Sequence, residues 1–240
     1  MTTQKPQPEI LWIVLGSSAV ILDEAGRFLS DMRSKARVTL VATIFEAHNW
    51  LSQKVPPTAI LIDYCEIMRD ENSIDELWTA ILEYVRRGGT AVLLGSDDVR
   101  HYEGDASRSR VQFKVRFSGT RLPWEIGEIF PNDKTYYLND AIVETYLAPK
   151  LRLFSRYPAT NIRNVAREHV WYYSDHHSLQ GRATVAMAPV YHGNIGYVGD
   201  KGIAYEQYLV IAAMCGLLPQ PDNWEGELAA LAGLSDKRGK

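Results

Sequence analysis

Acidic and hydroxyl side chains follow two apolar segments, AILI and TAVLLG, at the points where each would end as a strand. They are Asp63, Tyr64 and Glu66 after the first segment, and Ser96, Asp97 and Asp98 after the second. Grouped carboxylates can hold a cation, or a guanidinium or ammonium group. A serine presented above a sheet beside backbone N–H donors can act as a nucleophile. Helix capping and solvation are the alternative roles at strand ends.

Three further side chains could complete such a site. His192, in a predicted turn, could titrate near neutral pH as an acid or base, or be a hydrogen-bonded structural histidine. Trp124 could close a pocket or stack on a planar ligand, or serve plain packing. We therefore predict catalytic roles for Ser96, Asp97, Asp98 and His192. The predicted substrate-binding set is Asp63, Tyr64, Glu66, Trp124 and Arg121.

The spacing of the histidines and cysteines bears on whether a metal site is expected. Asp175, His176 and His177 form an SDHHS segment, but their spacing from His169 matches no standard zinc pattern, so an exposed loop is expected. The two cysteines form no CxxC pair and no disulfide scaffold. We expect neither a metal nor a cofactor.

A strand, a helix and a strand between Thr58 and Asp98 must position the first candidate site. The helical spacing of apolar residues begins at Ser73, which with Glu76 predicts a capping box, and Gly88-Gly89 ends the helix. The flanking runs are apolar throughout, as in strands buried on both faces of a parallel sheet. Ligands bind beyond the carboxyl ends of such strands.

The same alternation extends through the first part of the chain. Strands are predicted at Glu9–Gly16 and Arg37–Thr43, and helices at Ile21–Ala36 and Ile44–Gln53. This order predicts an α/β three-layer sandwich with a mostly parallel, doubly wound sheet. Strand order and oligomeric state stay open.

Regular patterning is lost after Asp98 and returns near residue 183. We predict a single domain over 9–218 with an irregular insertion at 99–175, an N-terminal tail at 1–8, and a C-terminal tail at 219–240 with a short helix at Asn223–Leu234. The insertion is expected to contain helices at Ser107–Arg116 and Ala141–Leu147, irregular chain at Gly119–Gly127, and strands at Lys134–Leu138, Asn161–Val165 and His169–Tyr173. The later elements are strands at Ala183–Val190 and Asn194–Val198, a turn at Tyr191–Asn194 and a helix at Ile203–Leu217.

Charge is distributed unevenly along the 240 residues, whose formal net charge is −3. Residues 108–167 are basic and contain interleaved aromatic side chains, a combination that could contact aminoacyl-tRNA, although an ordinary solvated surface is the alternative. No apolar run approaches the roughly 18 residues of a membrane span. We therefore expect a cytoplasmic protein with a small-molecule substrate and no membrane partner.

Several segments resemble a known family. YVRRGGTAVLLG and PVYHGNIGYVGD, with the order of elements, resemble the class I glutamine amidotransferase-like fold, and within it the ThuA-like branch. RLPWEIGE, AMAPVYHGNIGYVGD and IAAMCGLL are also similar to fungal orphan proteins on that fold. In the true amidotransferases a cysteine follows the fourth strand, where this chain has Gly95-Ser96-Asp97-Asp98. His192 lies near the family histidine but lacks the accompanying glutamate, so the glutaminase triad is not expected here.

Three functions remain open. The first is a non-glutaminase enzyme acting on a small polar or amino-acid-derived substrate, in fungal specialised metabolism as the resemblance implies. The second is a tRNA-dependent, arginine-containing cyclodipeptide synthase, an aminoacyl transferase whose DDxxE motif is matched imperfectly by Asp97-Asp98 with Glu103. The third is a non-catalytic pseudoenzyme that binds a ligand or a partner.

Overall fold

Strands and helices alternate through the first part of the chain, as the apolar periodicities predict. The computed structural model describes residues 7–15, 26–63, 71–95, 117–130, 134–139, 153–155, 159–174, 181–199 and 205–217. Its strands are β1 (Glu9–Val14), β2 (Arg37–Val41), β3 (Ala59–Asp63), β4 (Thr90–Leu94), β5 (Glu125–Phe130), β6 (Lys134–Leu138), β7 (Leu153–Ser155), β8 (Ala159–Arg163), β9 (Val170–Ser174), β10 (Arg182–Ala183), β11 (Val185–Val190) and β12 (Gly193–Val198). Its helices are α1 (Gly26–Lys35), α2 (Ile44–Leu51), α3 (Glu71–Arg86) and α4 (Tyr205–Met214), with a 3-10 turn at Arg167–His169.

The main sheet has nine strands in the order β2-β1-β3-β4-β12-β11-β9-β6-β7. The neighbours from β2 to β12 are parallel, and the remaining neighbours are antiparallel. Only β11 and β6 therefore run against the direction of the other described strands of this sheet. β4 lies in the interior of the sheet, between β3 and β12, which agrees with the burial predicted for the TAVLL segment.

Helices cover both faces of this sheet, which explains why its central strands are apolar on both sides. On one face Trp12 belongs to the same buried cluster as Phe28 of α1 and Tyr208 of α4. On the other face Leu11 belongs to a cluster with the buried sides of α2 and α3. The predicted three-layer α/β sandwich is confirmed.

The predicted start of α3 was wrong. α3 is already helical at Glu71, so Ser73 lies inside the helix and cannot be its N-cap. A capping box forms instead at α2. Thr43 Oγ1 accepts from the Glu46 backbone N–H at 3.2 Å, and the Glu46 carboxylate accepts from the Thr43 backbone N–H at 3.2 Å. The apolar stripe predicted for α3 is buried in its described part, and the helix ends before Gly88, whose φ is 103°.

The segment predicted as an irregular insertion contains strands wherever it is described, apart from residue 139 and the 117–124 and 164–169 connections. β6 matches its predicted bounds, and β9 and β6 extend the main sheet. β8 pairs with β5 and β10 in a second, three-stranded antiparallel sheet. β5 begins at Glu125, inside the segment expected to be irregular, and β7 was not predicted. Neither β5 nor β7 has the strict alternation of apolar and polar residues by which a strand is predicted.

Three predicted helices, Ser107–Arg116, Ala141–Leu147 and Asn223–Leu234, lie outside the described residues, as do residues 1–6 and 219–240 of the predicted tails. Within the described part, no helix has both the length and the apolar character needed to cross a membrane.

Candidate ligand site at the carboxyl end of the sheet

Three central parallel strands end side by side. The registers pair Asp63 of β3 with Leu94 of β4, and Leu94 with Val198 of β12. Gly95 follows β4, and its N–H donates to the Val198 carbonyl at 2.6 Å. This edge is the position at which parallel α/β sheets bind ligands.

Two glycines allow the chain to pack backbone against backbone at this edge. A Cβ on Gly95 would lie only 2.8 to 2.9 Å from the main-chain atoms of Gly199. A Cβ on Gly199 would overlap the Thr160 carbonyl oxygen and lie 3.1 Å from the Thr184 carbonyl oxygen. Glycine is needed at both positions because any larger residue would push these segments apart.

Gly199 also joins the second sheet to the first. Its N–H donates to the Thr184 carbonyl at 2.8 Å, and its carbonyl accepts from the Thr160 N–H at 2.9 Å. The buried hydroxyl of Tyr197 donates to the Thr160 carbonyl at 3.0 Å. β8 and the start of β11 are thereby fixed against the carboxyl end of β12.

Two buried polar side chains at this junction have no hydrogen-bond partner. Asn161 is 0% exposed, and neither its amide nitrogen nor its amide oxygen is paired. Thr184 is 1% exposed, and its hydroxyl is likewise unpaired. The β8–β10 pairing ends at Ile162 and Ala183, and Gly199 bonds the backbones of Thr184 and of Thr160, the residue before Asn161.

We call Asn161, Thr184, Gly95, Gly199 and the end of β3 at Asp63 the carboxyl-end site. An amide left unpaired in the interior costs about 1–3 kcal/mol, so proteins rarely retain one without a use for it. Asn161 and Thr184 together offer donors and acceptors in neutral form. Such an arrangement can bind a polar group that reaches the interior at the edge of the sheet.

Of the acidic and hydroxyl residues predicted from sequence for this edge, the described part of the chain contains only the backbone of Asp63. Asp63 is the last residue of β3, and its side chain lies outside the described part of the chain. The other predicted residues of this edge, which are Tyr64, Glu66, Ser96, Asp97 and Asp98, lie outside the described residues. Ser96 directly follows Gly95 in the sequence.

His192 does not join them, which corrects the single site expected from sequence. It lies in the two-residue turn between β11 and β12, exposed to solvent, and immediately before the first residue of β12. Because β12 runs parallel to β4, this turn lies at the amino end of the sheet. At about 3.3 Å per residue, the length of β12 separates His192 from Gly199 by roughly 20 Å.

Arg121 and Trp124 also lie elsewhere. Arg121 is exposed in a turn with a φ of 67°, and the same turn accepts a hydrogen bond from the Tyr191 hydroxyl through the Gly119 carbonyl at 2.7 Å. Trp124 is 2% exposed and packs edge-on against Phe117 with ring centroids 5.2 Å apart. Packing is therefore the role the geometry supports for Trp124, rather than stacking on a ligand.

The described cysteine is not a nucleophile. Cys215 follows α4 in the interior, where burial raises the pKa of its thiol to about 12 and keeps it protonated at neutral pH. Cys65, Asp175, His176 and His177 lie outside the described residues, whereas His169 is half-buried in the 3-10 turn. Among the described residues, no group of three or more His, Cys, Asp or Glu side chains could hold a metal ion.

The sequence analysis did not predict Asn161 and Thr184 as residues of this edge. Asn161 was correctly predicted to be in a strand, but the docking of that strand and of Thr184 on Gly199 joins segments distant in sequence, which no local pattern encodes. One signal was available: a glycine directly follows each of the buried strands TAVLL and NIGYV. Paired glycines at two neighbouring strand ends indicate close backbone approach.

The comparisons with known proteins bear on the fold of this chain alone. No protein-family model matches the chain, and no curated protein sequence is found to be similar. A β-galactosidase from Rahnella sp. R3 superimposes with a TM-score of 0.57 at 10% identity, over 87% of this chain and 31% of that one. A β-galactosidase from Bacillus circulans sp. alkalophilus gives 0.55 at 10% identity, over 88% and 31%. The chain thus spans less than a third of these enzymes, and identities this low show a shared fold alone.

A putative ThuA-like protein from Parabacteroides merdae is similar in length to this chain. It superimposes over 90% of this chain and 92% of that one, with a lower TM-score of 0.44 and 11% identity.

Proposed function

We propose that the chain is an enzyme without glutaminase chemistry that acts on a small polar or amino-acid-derived substrate at the carboxyl-end site. The observation that carries this proposal is the buried, unpartnered amide of Asn161 in the strand that docks on Gly199, at the edge where parallel sheets bind ligands. Perturbed or unsatisfied polar groups cluster at functional sites because evolution retains them only where they are used.

The proposed roles follow from position along the chain. Asp63, Glu66, Asp97 and Asp98 bind a cationic group of the substrate by charge-assisted hydrogen bonds, since their strands end at this edge. His192 takes no part, because it lies at the opposite end of the sheet. Proton transfer in this proposal therefore falls to the carboxylates, with Ser96 as the candidate nucleophile.

Two features support an activity other than glutamine hydrolysis. The turn after β4 begins Gly95-Ser96 and has no cysteine at the position of the family nucleophile. Cys215 is held as a thiol in the core by a pKa of about 12. A reactive thiolate needs a lowered pKa and access to solvent.

Turnover assays on single variants test the proposal once a metabolite screen by thermal shift has identified a ligand. Asp97→Ala and Asp98→Ala are expected to lose turnover, whereas His192→Ala, at the amino end, is expected to keep the wild-type rate. Full activity in both aspartate variants would remove the proposed site. Loss of activity in His192→Ala alone would move it to the other end of the sheet.

A non-catalytic ligand-binding protein is the second candidate, since an unpartnered polar pair serves binding as well as catalysis. Saturable stabilisation by a metabolite that is never converted to product would favour it.

A third candidate, suggested by the basic character of residues 108–167, is aminoacyl transfer from tRNA to form an arginine-containing dipeptide. Formation of that product from arginyl-tRNA, abolished by ribonuclease, would support it; no such product would end it.

A further inference from the structure

We propose that a surface at the amino end of the sheet binds an unpaired nucleotide of a single-stranded nucleic acid. This surface, which we call the amino-end platform, consists of Tyr191, Arg86 and Arg121. A base would stack on the tyrosine ring, and neighbouring phosphates would pair with the two arginines. The inference goes beyond the proposed function, because Tyr191 precedes β12 and so lies at the opposite end of the sheet from the carboxyl-end site.

The ring of Tyr191 is exposed to solvent but held in place. The residue is 46% exposed, and its hydroxyl donates to the Gly119 carbonyl at 2.7 Å. The guanidinium carbon of Arg86 lies over the ring, 4.9 Å from its centroid. The ring is thus fixed at its hydroxyl end and covered on one face. An aromatic ring that is already fixed can stack on a base with little loss of side-chain freedom, which favours binding.

The turns that contain Tyr191 and Arg121 are both fixed to α3. The Asn194 N–H donates to the Gly89 carbonyl at 3.0 Å, and a Cβ on the buried glycine between β11 and β12 would overlap that same carbonyl oxygen. The indole N–H of Trp78, within α3, donates to the Ser118 carbonyl at 3.2 Å. The ring and the two guanidinium groups are therefore presented from a rigid base.

Two residues of the amino-end platform adopt a backbone conformation that their side chains disfavour. The φ of Tyr191 is 56° and that of Arg121 is 67°, and Asn164 is the third non-glycine residue with a positive φ in the described part of the chain. Asparagine tolerates the left-handed region, whereas tyrosine and arginine are strained there. Such strain is concentrated at functional positions, and both side chains are exposed rather than needed in the core.

The charges around the ring suit phosphate groups. Residues 83–87 at the end of α3, with the two turns that they contact, contain Arg86, Arg87 and Arg121 against the single acid Glu83. The Glu83 carboxylate lies 3.3 Å from one Arg86 nitrogen, and a guanidinium has five N–H donors, so Arg86 can also pair with a phosphate. An acidic peptide would use these charges but not the ring. An exposed aromatic ring between cations is the arrangement that binds single strands.

The experiment measures binding of a labelled single-stranded oligoadenylate to the full chain by fluorescence anisotropy, at a series of salt concentrations. Adenosine monophosphate and a peptide of glutamates with the same charge serve as competing ligands. We expect the strand to bind, with a logarithmic salt dependence of about 0.7 for each phosphate contact. The mononucleotide should bind at least about tenfold more weakly, since it offers one phosphate to two arginines.

Matched substitutions locate the binding. Tyr191→Leu removes the ring and should weaken binding about 5- to 150-fold, whereas Tyr191→Phe keeps the ring and should recover most of that loss. Arg86→Gln and Arg121→Gly should each lower the salt dependence by about 0.7. Arg87→Gln is the control for charge: the guanidinium of Arg87 donates to the Leu51 carbonyl of α2 at 3.1 Å, so this variant should keep the wild-type salt dependence.

The Arg121→Gly variant separates binding from folding. Glycine relieves the strained backbone, so this variant should melt no lower than the wild type while it binds the strand more weakly. Equal losses in Arg86→Gln and Arg87→Gln would show attraction to net charge alone and overturn the proposal. A glutamate peptide that binds as tightly as the strand, without sensitivity to Tyr191→Leu, would assign the amino-end platform to an acidic protein instead. Equal affinity for the mononucleotide, or no binding of the strand at low salt, would also refute it.

Discussion

Replacing Asn161 with leucine should stabilise the protein in the absence of ligand. Both amide atoms are buried and unpaired, and a buried polar group without a partner costs about 1–3 kcal/mol in mutational series. Leucine has the same branching and the same number of heavy atoms, so the apolar side chain fills nearly the same space without that penalty. Leucine also has the higher strand propensity at this position in β8.

The size of the effect is large enough to measure. For a chain of this length, 1 kcal/mol shifts the melting temperature by about 2–4 °C, so an increase of roughly 2–12 °C is expected. Slight overpacking by the two methyl groups would place the result toward the lower part of that range. Thermal unfolding followed by circular dichroism and urea titration would report the change independently.

Asn139→Leu supplies the control, because it makes the identical change at a buried asparagine that is paired. There the substitution leaves the carbonyls of Arg167 and Val170 without their donor, and a loss of about 1–3 kcal/mol is expected. The two variants should therefore shift the melting temperature in opposite directions. A decrease for Asn161→Leu as large as that for Asn139→Leu would show that Asn161 is satisfied within the folded chain, and would refute the reasoning.

Four further predictions test the fold and the assignment of the site. Gly199→Ala should cost about 1–3 kcal/mol or more in denaturant titrations, because its Cβ overlaps the Thr160 carbonyl oxygen of a second strand. Tyr84→Phe should cost about 1–2 kcal/mol in the same assay, since the buried hydroxyl donates to one backbone carbonyl at 3.1 Å and accepts from one backbone N–H at 3.2 Å. Burial raises the pKa of Cys215 to about 12, so the free energy of unfolding should fall between the unfolded thiol pKa of about 8.5 and pH 12, and less steeply in Cys215→Ala. His192→Ala should change neither stability nor ligand affinity by more than about 0.5 kcal/mol, as expected for an exposed turn residue.

Each of these has a result that would contradict it. Wild-type stability in Gly199→Ala would mean that the second sheet does not dock on the end of β12. An unchanged Tyr84→Phe variant would mean that water replaces the lost bonds. The sign for Cys215 follows from its raised pKa: the stabilising contribution is complete below the unfolded pKa and disappears as the pH rises. A parallel pH profile in Cys215→Ala would therefore exclude a buried thiol.

The sequence allowed the parallel half of the fold to be predicted because its signals are local. AILI is apolar at every position, and TAVLL at every position after Thr90, since both faces of the sheet are covered by helices. Gly88-Gly89 ends the intervening helix. The boundaries of β3 and β4 were accordingly close to those observed. The start of α3 was misplaced because Ser73 and Glu76 fit a capping box in isolation, although the helix already includes Glu71.

The antiparallel half was harder to predict because its strands depend on distant partners. β5 contains a register shift between Ile126 and Ile129, and such an irregularity disrupts the alternation by which a strand is recognised. β7 is three residues long, and only its pairing with β6 makes it recognisable as a strand. Neither feature can be inferred from a window of neighbouring residues.

Strand direction explains why the ends of β3 and β4 share one edge of the sheet whereas His192 lies at the other. The ends of β3 and β4 were placed correctly because two parallel strands joined by a helix must end at the same edge. His192 seemed to belong there because it precedes a glycine-rich strand, but a turn that precedes a parallel strand lies at its amino end. Gly199 follows that strand at the carboxyl end, where it bonds the backbones of Thr160 in the second sheet and of Thr184 before β11. A buried amide retained without a partner at this junction lowers stability, and a chain under selection for stability alone would have replaced it.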